Sequence, residues 1–187
     1  MTRPTLKTLL IAAAILAPVT AQAGWRDEAS SFDQSRLARL GEAREQGLAE
    51  SNGAAQAVLS APATGGSITG SWRCRTIKLG GMTPSMQYSW FHCRVFEYGG
   101  MLRFEKTSGS QRMGGTLYPE GNGYVYLGAS WVKGEHPRRY SGNGASVGAH
   151  ATPDDQIGMM TATSGGARLE MPFPVQESTF DVIELRR

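Results

Sequence analysis

The chain has 187 residues, room for one main domain, and its 40% hydrophobic and 19% charged content excludes a disordered chain, a coiled coil and a multi-span membrane protein. Glycine is abundant, at 24 residues, which burdens a long helix bundle and suits a sheet with many tight turns. The formal net charge of +3 rests partly on the N-terminus: without Arg3 and Lys7, 17 of the 19 basic residues stand against 16 acidic ones, a net of +1, and the electrostatic case for binding nucleic acid is lost.

Residues 1–23 read as an export signal. Arg3 and Lys7 precede the apolar run Leu9 to Ala17, and Ala21-Gln22-Ala23 supplies small residues for cleavage before Gly24. The run is too short to span a bilayer, which needs about 20 apolar residues. The expected location is therefore the periplasm or the outside of the cell, with no stable membrane anchor after cleavage. Cys74 and Cys93 are the only cysteines, and in an oxidising compartment such a pair is expected to form a disulfide. Two cysteines cannot make a four-ligand zinc site, and His92, His136 and His150 show no metal-binding spacing. No metal and no cofactor is expected.

From Asp33 to Leu48, Leu37, Leu40, Ala43 and Leu48 recur at helical spacing among charged residues, which predicts an amphipathic helix capped by Asp33. Ser51-Asn52-Gly53 breaks it, and Ala54 to Ser60 reads as a short second helix. Residues 24–66 thus form a helical hairpin ending in the linker Ala61 to Gly66, expected to cover an apolar surface or one end of the domain that follows.

From residue 67 to 187 the period changes to short β-rich runs between glycine-containing turns. Eight strands are predicted, over 67–79, 87–98, 101–107, 112–118, 123–132, 156–163, 167–171 and 178–186. The fold class is mainly β with short N-terminal helices: an antiparallel, eight-stranded, barrel-like domain. The chain shows no helix-sized crossovers of the kind a parallel α/β sheet needs. Pro172 and Pro174 lack ladder N–H groups, so Met171 to Val175 is expected either to lie outside the ladder as a connection or to leave the barrel open beside it.

Pairing Leu79 with Tyr88 sets Cys74 opposite Cys93, Arg73 opposite Arg94 and Arg75 opposite His92. A two-residue Gly99-Gly100 turn pairs Tyr98 with Met101 and brings Glu105 opposite Arg94. One face then gathers Arg73, Arg75, His92, Arg94, Arg103 and Glu105, either a solvated outer surface or an anion-binding patch. Ser110, Gln111 and Arg112, in the turn from Ser108 to Arg112, form a second anion-binding candidate. The segment Lys133 to Asp155 is long for a loop, and disorder is its expected state, with partner recognition as the alternative. Gly114-Gly115 reads as a bulge and Gly121-Asn122-Gly123 as a hairpin turn. No serine or cysteine lies in a nucleophile motif and no phosphate-binding fingerprint occurs, so no catalytic residue is assigned and an enzyme is not expected.

The runs Trp72-Arg73-Cys74-Arg75-Thr76-Ile77-Lys78-Leu79-Gly80-Gly81 and Phe91-His92-Cys93-Arg94 resemble a bacterial family of secreted proteins, the domain of unknown function numbered 4893. The likeness continues through Leu102 to Arg112, Gly115 to Tyr118, Tyr126-Leu127-Gly128 and Glu177 to Leu185, and implies no activity for any residue. Gly70-Ser71-Trp72 also resembles the start of lipocalin-like barrels, which implies that Arg186 or Arg187 packs across Trp72. A looser likeness, Ser108-Gly109-Ser110 with Lys133-Gly134, is to periplasmic lysozyme inhibitors. The expected function is that of an exported, non-enzymatic binding protein for a small anionic or amphipathic ligand. The alternative is a periplasmic inhibitor of a protein partner such as a lysozyme or a protease.

Overall fold

The computed structural model describes residues 24–51, 53–142 and 152–187. Residues 1–23, expected to be an export signal, and the middle of the long loop, 143–151, lie outside the described residues. Among the described residues nine strands follow four short helices: β1 (Gly70–Leu79), β2 (Ser85–Gln87), β3 (Phe91–Tyr98), β4 (Met101–Lys106), β5 (Gln111–Glu120), β6 (Gly123–Val132), β7 (Asp155–Thr163), β8 (Gly166–Pro172) and β9 (Phe180–Arg186). All neighbours are antiparallel, and β9 pairs back onto β1 from Arg73↔Arg186 to Leu79↔Phe180. The result is a closed eight-stranded barrel, with β2 added at the end of β1. Closure removes the free edges that an open sheet would expose.

The prolines do not open it. Met171 and Pro172 stay in the ladder, opposite Asp181 and Phe180, which corrects their expected place in a connection. The last β7–β8 pair is Met159↔Glu170, so the missing N–H of Pro172 falls beyond the stretch where a donor is required.

The first hairpin also differs from its expected register. The chain turns within Gly80 to Pro84, where the Gly80 N–H donates to the Pro84 carbonyl at 3.0 Å and Leu79 faces Ser85. Pairing then breaks over Tyr88 to Trp90 before β3 begins. Cys74 therefore faces Phe91 and Trp72 faces Cys93. Arg73 faces His92 rather than Arg94, and Arg75 faces Glu184 of β9 rather than His92. The disulfide forms on the diagonal, with Cα atoms 5.8 Å apart. The Gly99-Gly100 hairpin pairs as expected, with Tyr98↔Met101 and Arg94↔Glu105.

Inside the barrel, Trp72, Val95, Phe104, Leu117, Tyr126, Leu169 and Leu185 form the core. Gly114 and Gly115 are not a bulge; both pair regularly with β4 and β6. Gly115 faces Gly128, and a Cβ on Gly115 would lie 2.5 Å from the Gly128 Cα and 2.6 Å from the Tyr126 ring. Two facing glycines thus leave room for the tyrosine ring to lie across them, edge-on to Phe104 with centroids 5.9 Å apart.

The helices belt the outer wall. Trp25 of α1 (Trp25–Glu28), Ala29 just after it and Leu37 of α2 (Ser31–Ala38) pack on Val125, Leu127 and Ile157 of β6 and β7. In α3 (Leu40–Glu50) and α4 (Gln56–Leu59), Ala43, Val58 and Leu59 cover Ile77, Leu79, Phe180 and Val182 of β1 and β9. The expected long helix is broken at Arg39, and its cap is Ser30, not Asp33: the Ser30 hydroxyl accepts the Asp33 N–H at 3.2 Å. Beyond α4, Ala63 bridges Thr163, so the linker runs along β7.

Candidate functional site

One end of the barrel is closed and the other is hollow. At the closed end the indole N–H of Trp72 donates to the Ile68 carbonyl at 2.8 Å. The Arg187 guanidinium covers the Trp72 ring at 4.6 Å, whereas Arg186 sits 5.5 Å over Trp90. Of the two arginines that the lipocalin likeness left open, Arg187 therefore covers the tryptophan that follows Gly70, and Arg186 does not.

At the other end, a cavity of about 290 Å³ opens among Thr76 and Lys78 of β1, Lys106 of β4, Gln111 and Met113 of β5, Ser130 of β6 and Gln156 of β7. Met171, Asp181 and Ile183 complete it from β8 and β9. Alternation places these side chains, since each lies in phase with the core residues of its own strand.

The rim is braced by the helices. Arg36 donates to the Phe173 carbonyl at 3.1 Å, and Arg39 lies over the Phe173 ring at 4.2 Å. The Thr179 hydroxyl and the Gly81 N–H both donate to the Glu50 carboxylate, at 2.7 and 3.1 Å. The near part of the long loop is tied down as well, contrary to expectation. Arg138 pairs with Asp154, and the Tyr140 hydroxyl donates to Asp33 at 2.5 Å. Asp33 in turn pairs with Arg36, and Asp155 accepts the N–H and hydroxyl of Ser141.

Most charges in the lining are matched. Lys78 pairs with Glu177 at 2.6 Å and feels Asp181. Burial works against the Lys78 charge, but these two carboxylates outweigh it and raise its pKa. Burial pushes the Asp181 carboxyl up to about 6 against the pull of Lys78 and the Ser178 hydroxyl. Lys106 and Arg112 are different, because neither forms an ion pair with a carboxylate among the described residues. Lys106 is only 6% exposed; it donates to the Gln111 carbonyl at 2.5 Å and lies 4.2 Å over the Phe91 ring. Its pKa falls to about 8, first from burial and then from the nearby Arg112. One guanidinium nitrogen of Arg112, Nη1, is buried with no hydrogen-bond partner. Two neighbouring cations at a cavity wall, one with an unused donor, form an arrangement that an oxyanion would complete.

The sequence-predicted site residues divide between two places. Gln111 and Arg112 line the cavity. Ser110 lies beside it in the β4–β5 turn, its carbonyl accepting the Lys133 N–H at 2.7 Å. Arg73, Arg75, His92 and Arg94 are on the outer wall, away from the cavity. There Arg75 and Arg186 share Glu184 at 2.6 and 2.5 Å, Arg94 holds Glu105, and Arg73, Arg75 and Arg186 surround the Trp90 ring at 4.7–5.6 Å. Lys78, Lys106 and Asp181 are the cavity groups that sequence reasoning passed over. Among the described residues no three His, Cys, Asp or Glu side chains come together to hold a metal ion.

The model of the family described as domain of unknown function DUF4893 matches residues 25–185. The chain belongs to this family. In this DUF4893 protein the matched stretch runs from α1 to β9, so it takes in the helical belt as well as the barrel. No curated protein and no solved structure matches the chain.

Proposed function

We propose that this DUF4893 protein is an exported, non-enzymatic binding protein that holds a small anionic or amphipathic ligand in the open end of its barrel. The observation that carries this reading is the pair at the cavity wall of buried Lys106 and half-buried Arg112, neither held by a carboxylate, the arginine with one buried guanidinium donor to spare. A bound anion would supply the missing acceptor, and the apolar surface of Met113, Met171 and Ile183 would take its body. Export to the periplasm or beyond is supported by the pattern of residues 1–23 and by the Cys74–Cys93 disulfide.

Calorimetric titration with benzenesulfonate, a compact organic anion, tests the site. Saturable binding is expected in the wild type and in an Arg73→Ser, Arg94→Ser double variant, and is expected to be lost in Lys106→Met and Arg112→Met. Loss confined to the double variant would move the site to the outer wall, and no saturable signal would reject the reading.

A second reading, an inhibitor of a lysozyme or a protease, draws on the contact between the Ser108–Ser110 turn and Lys133, which sets both turns side by side at the rim. Lysozyme activity unaffected by excess protein would remove the lysozyme form of that alternative.

A further inference from the structure

We infer that the cavity takes a compact monoanion, with an apolar body of about ten non-hydrogen atoms at interior packing density, and excludes extended acyl chains. This rests on the proposed anion site and adds its size and charge limits.

The size limit comes from what lies beneath. Gln156 lines the cavity and accepts the Tyr126 hydroxyl at 3.3 Å, so the tyrosine begins where the hollow ends. The ring lies over the Gly115–Gly128 pair and against Phe104, and Trp72, Leu169 and Leu185 fill the barrel below. A chain reaching further would have to displace a fully buried ring whose place is fixed by two glycines. The cavity volume, about 290 Å³, is at the small end for ligand pockets. The charge limit comes from Asp181 and Lys78. Asp181 lines the same cavity as Lys106, and its ionised carboxylate would repel a second negative end, while Lys78 is already held by Glu177. Flexible Met113 and Met171 suit a short branched or aromatic body.

Calorimetric titrations at pH 7 with hexanoate, benzoate, dodecanoate below its micellar concentration, and succinate test the inference. Hexanoate and benzoate are expected to bind. Dodecanoate and succinate are expected to bind at least tenfold more weakly, the reverse of the usual rise of affinity with chain length. Lys106→Met should weaken hexanoate at least tenfold while keeping the wild-type circular dichroism spectrum. Dodecanoate binding as tightly as hexanoate overturns the size limit, and leaves the anion site standing if Lys106→Met weakens it too. Succinate binding as tightly as hexanoate overturns the charge limit. Failure of all four to bind overturns the anion site itself.

Discussion

Cys74 is bonded to Cys93, yet its neighbour in the ladder is Phe91, so the disulfide crosses the β1–β3 seam diagonally just below the cavity. The link joins residues 19 apart and locks the stretch in which pairing is interrupted at Tyr88 to Trp90. Replacing both cysteines by serine is expected to lower unfolding free energy by about 3 kcal/mol, the loop-closure value for this span. Urea denaturation of oxidised wild type and the double variant measures it.

Lys106 links ligand affinity to pH. Its folded pKa, about 8, lies below the ordinary 10.5, so the folded state binds its proton more weakly than the unfolded state. The cost of holding the charge is full below pH 8 and is relieved as pH rises from about 8 towards 10.5, so stability from this group rises across that window. Affinity for a monoanion runs the other way, falling as pH passes 8. Titrations with hexanoate at pH 7 and pH 9 should show the loss, and proton uptake on binding near pH 8.5 should make the heat depend on the buffer. Lys106→Met at pH 7 should unfold about 1 kcal/mol later despite losing the ligand, because relief of the buried charge exceeds one lost hydrogen bond.

Asp181 gives the opposite slope at lower pH. Its folded pKa is raised from 3.8 to about 6, so the folded state holds this proton more tightly than the unfolded state does. Its contribution is most favourable below pH 4 and declines as pH rises through 6. Asp181→Asn should remove that decline and be about 2 kcal/mol more stable than wild type at pH 7.5, measured by denaturation at pH 4.5 and 7.5.

The Tyr140 hydroxyl joins the long loop to α2 through Asp33, which also neutralises the buried Arg36. Asp33→Ala leaves that guanidinium buried and unpaired and should cost about 3–5 kcal/mol. Tyr140→Phe removes the hydroxyl that donates to Asp33 and accepts the Ser30 N–H at 2.9 Å but leaves the Asp33–Arg36 pair intact, and should cost about 1–2 kcal/mol. Thermal melts of the two variants should rank in that order.

Gly128→Ala would drive a methyl group into the Tyr126 hydroxyl and the Gly114 carbonyl. The expected cost is at least about 1–3 kcal/mol, with a changed near-ultraviolet circular dichroism signal from the displaced ring.

Alternation made the barrel legible, because Trp72 and Cys74 of β1, Cys93 and Val95 of β3, and Leu102 and Phe104 of β4 are in phase along their strands and point to one interior. The Gly99-Gly100 register was legible for the same reason that tight two-residue turns fix pairing. The register of the first hairpin was not, since neither the Gly80–Pro84 turn nor the break at Tyr88 to Trp90 carries a comparable signal. At the site, Gln111 and Arg112 were found through their turn, whereas Lys106 was missed although Leu102, Phe104 and Lys106 alternate in phase. A charged residue on an apolar face was the available sign, and Lys78 and Asp181 show it too. Arg75 looked unpaired because Glu184, which holds it, lies about a hundred residues further along the chain.

The seam between β1 and β9 also shapes how the protein is made. Partners there are separated by nearly the whole barrel, so local hairpins can form early but the cylinder has no wall until its last strand arrives. A translating or translocating chain would therefore hold an open sheet edge for most of its synthesis, and a chaperone able to shield that edge would raise the yield of the finished protein.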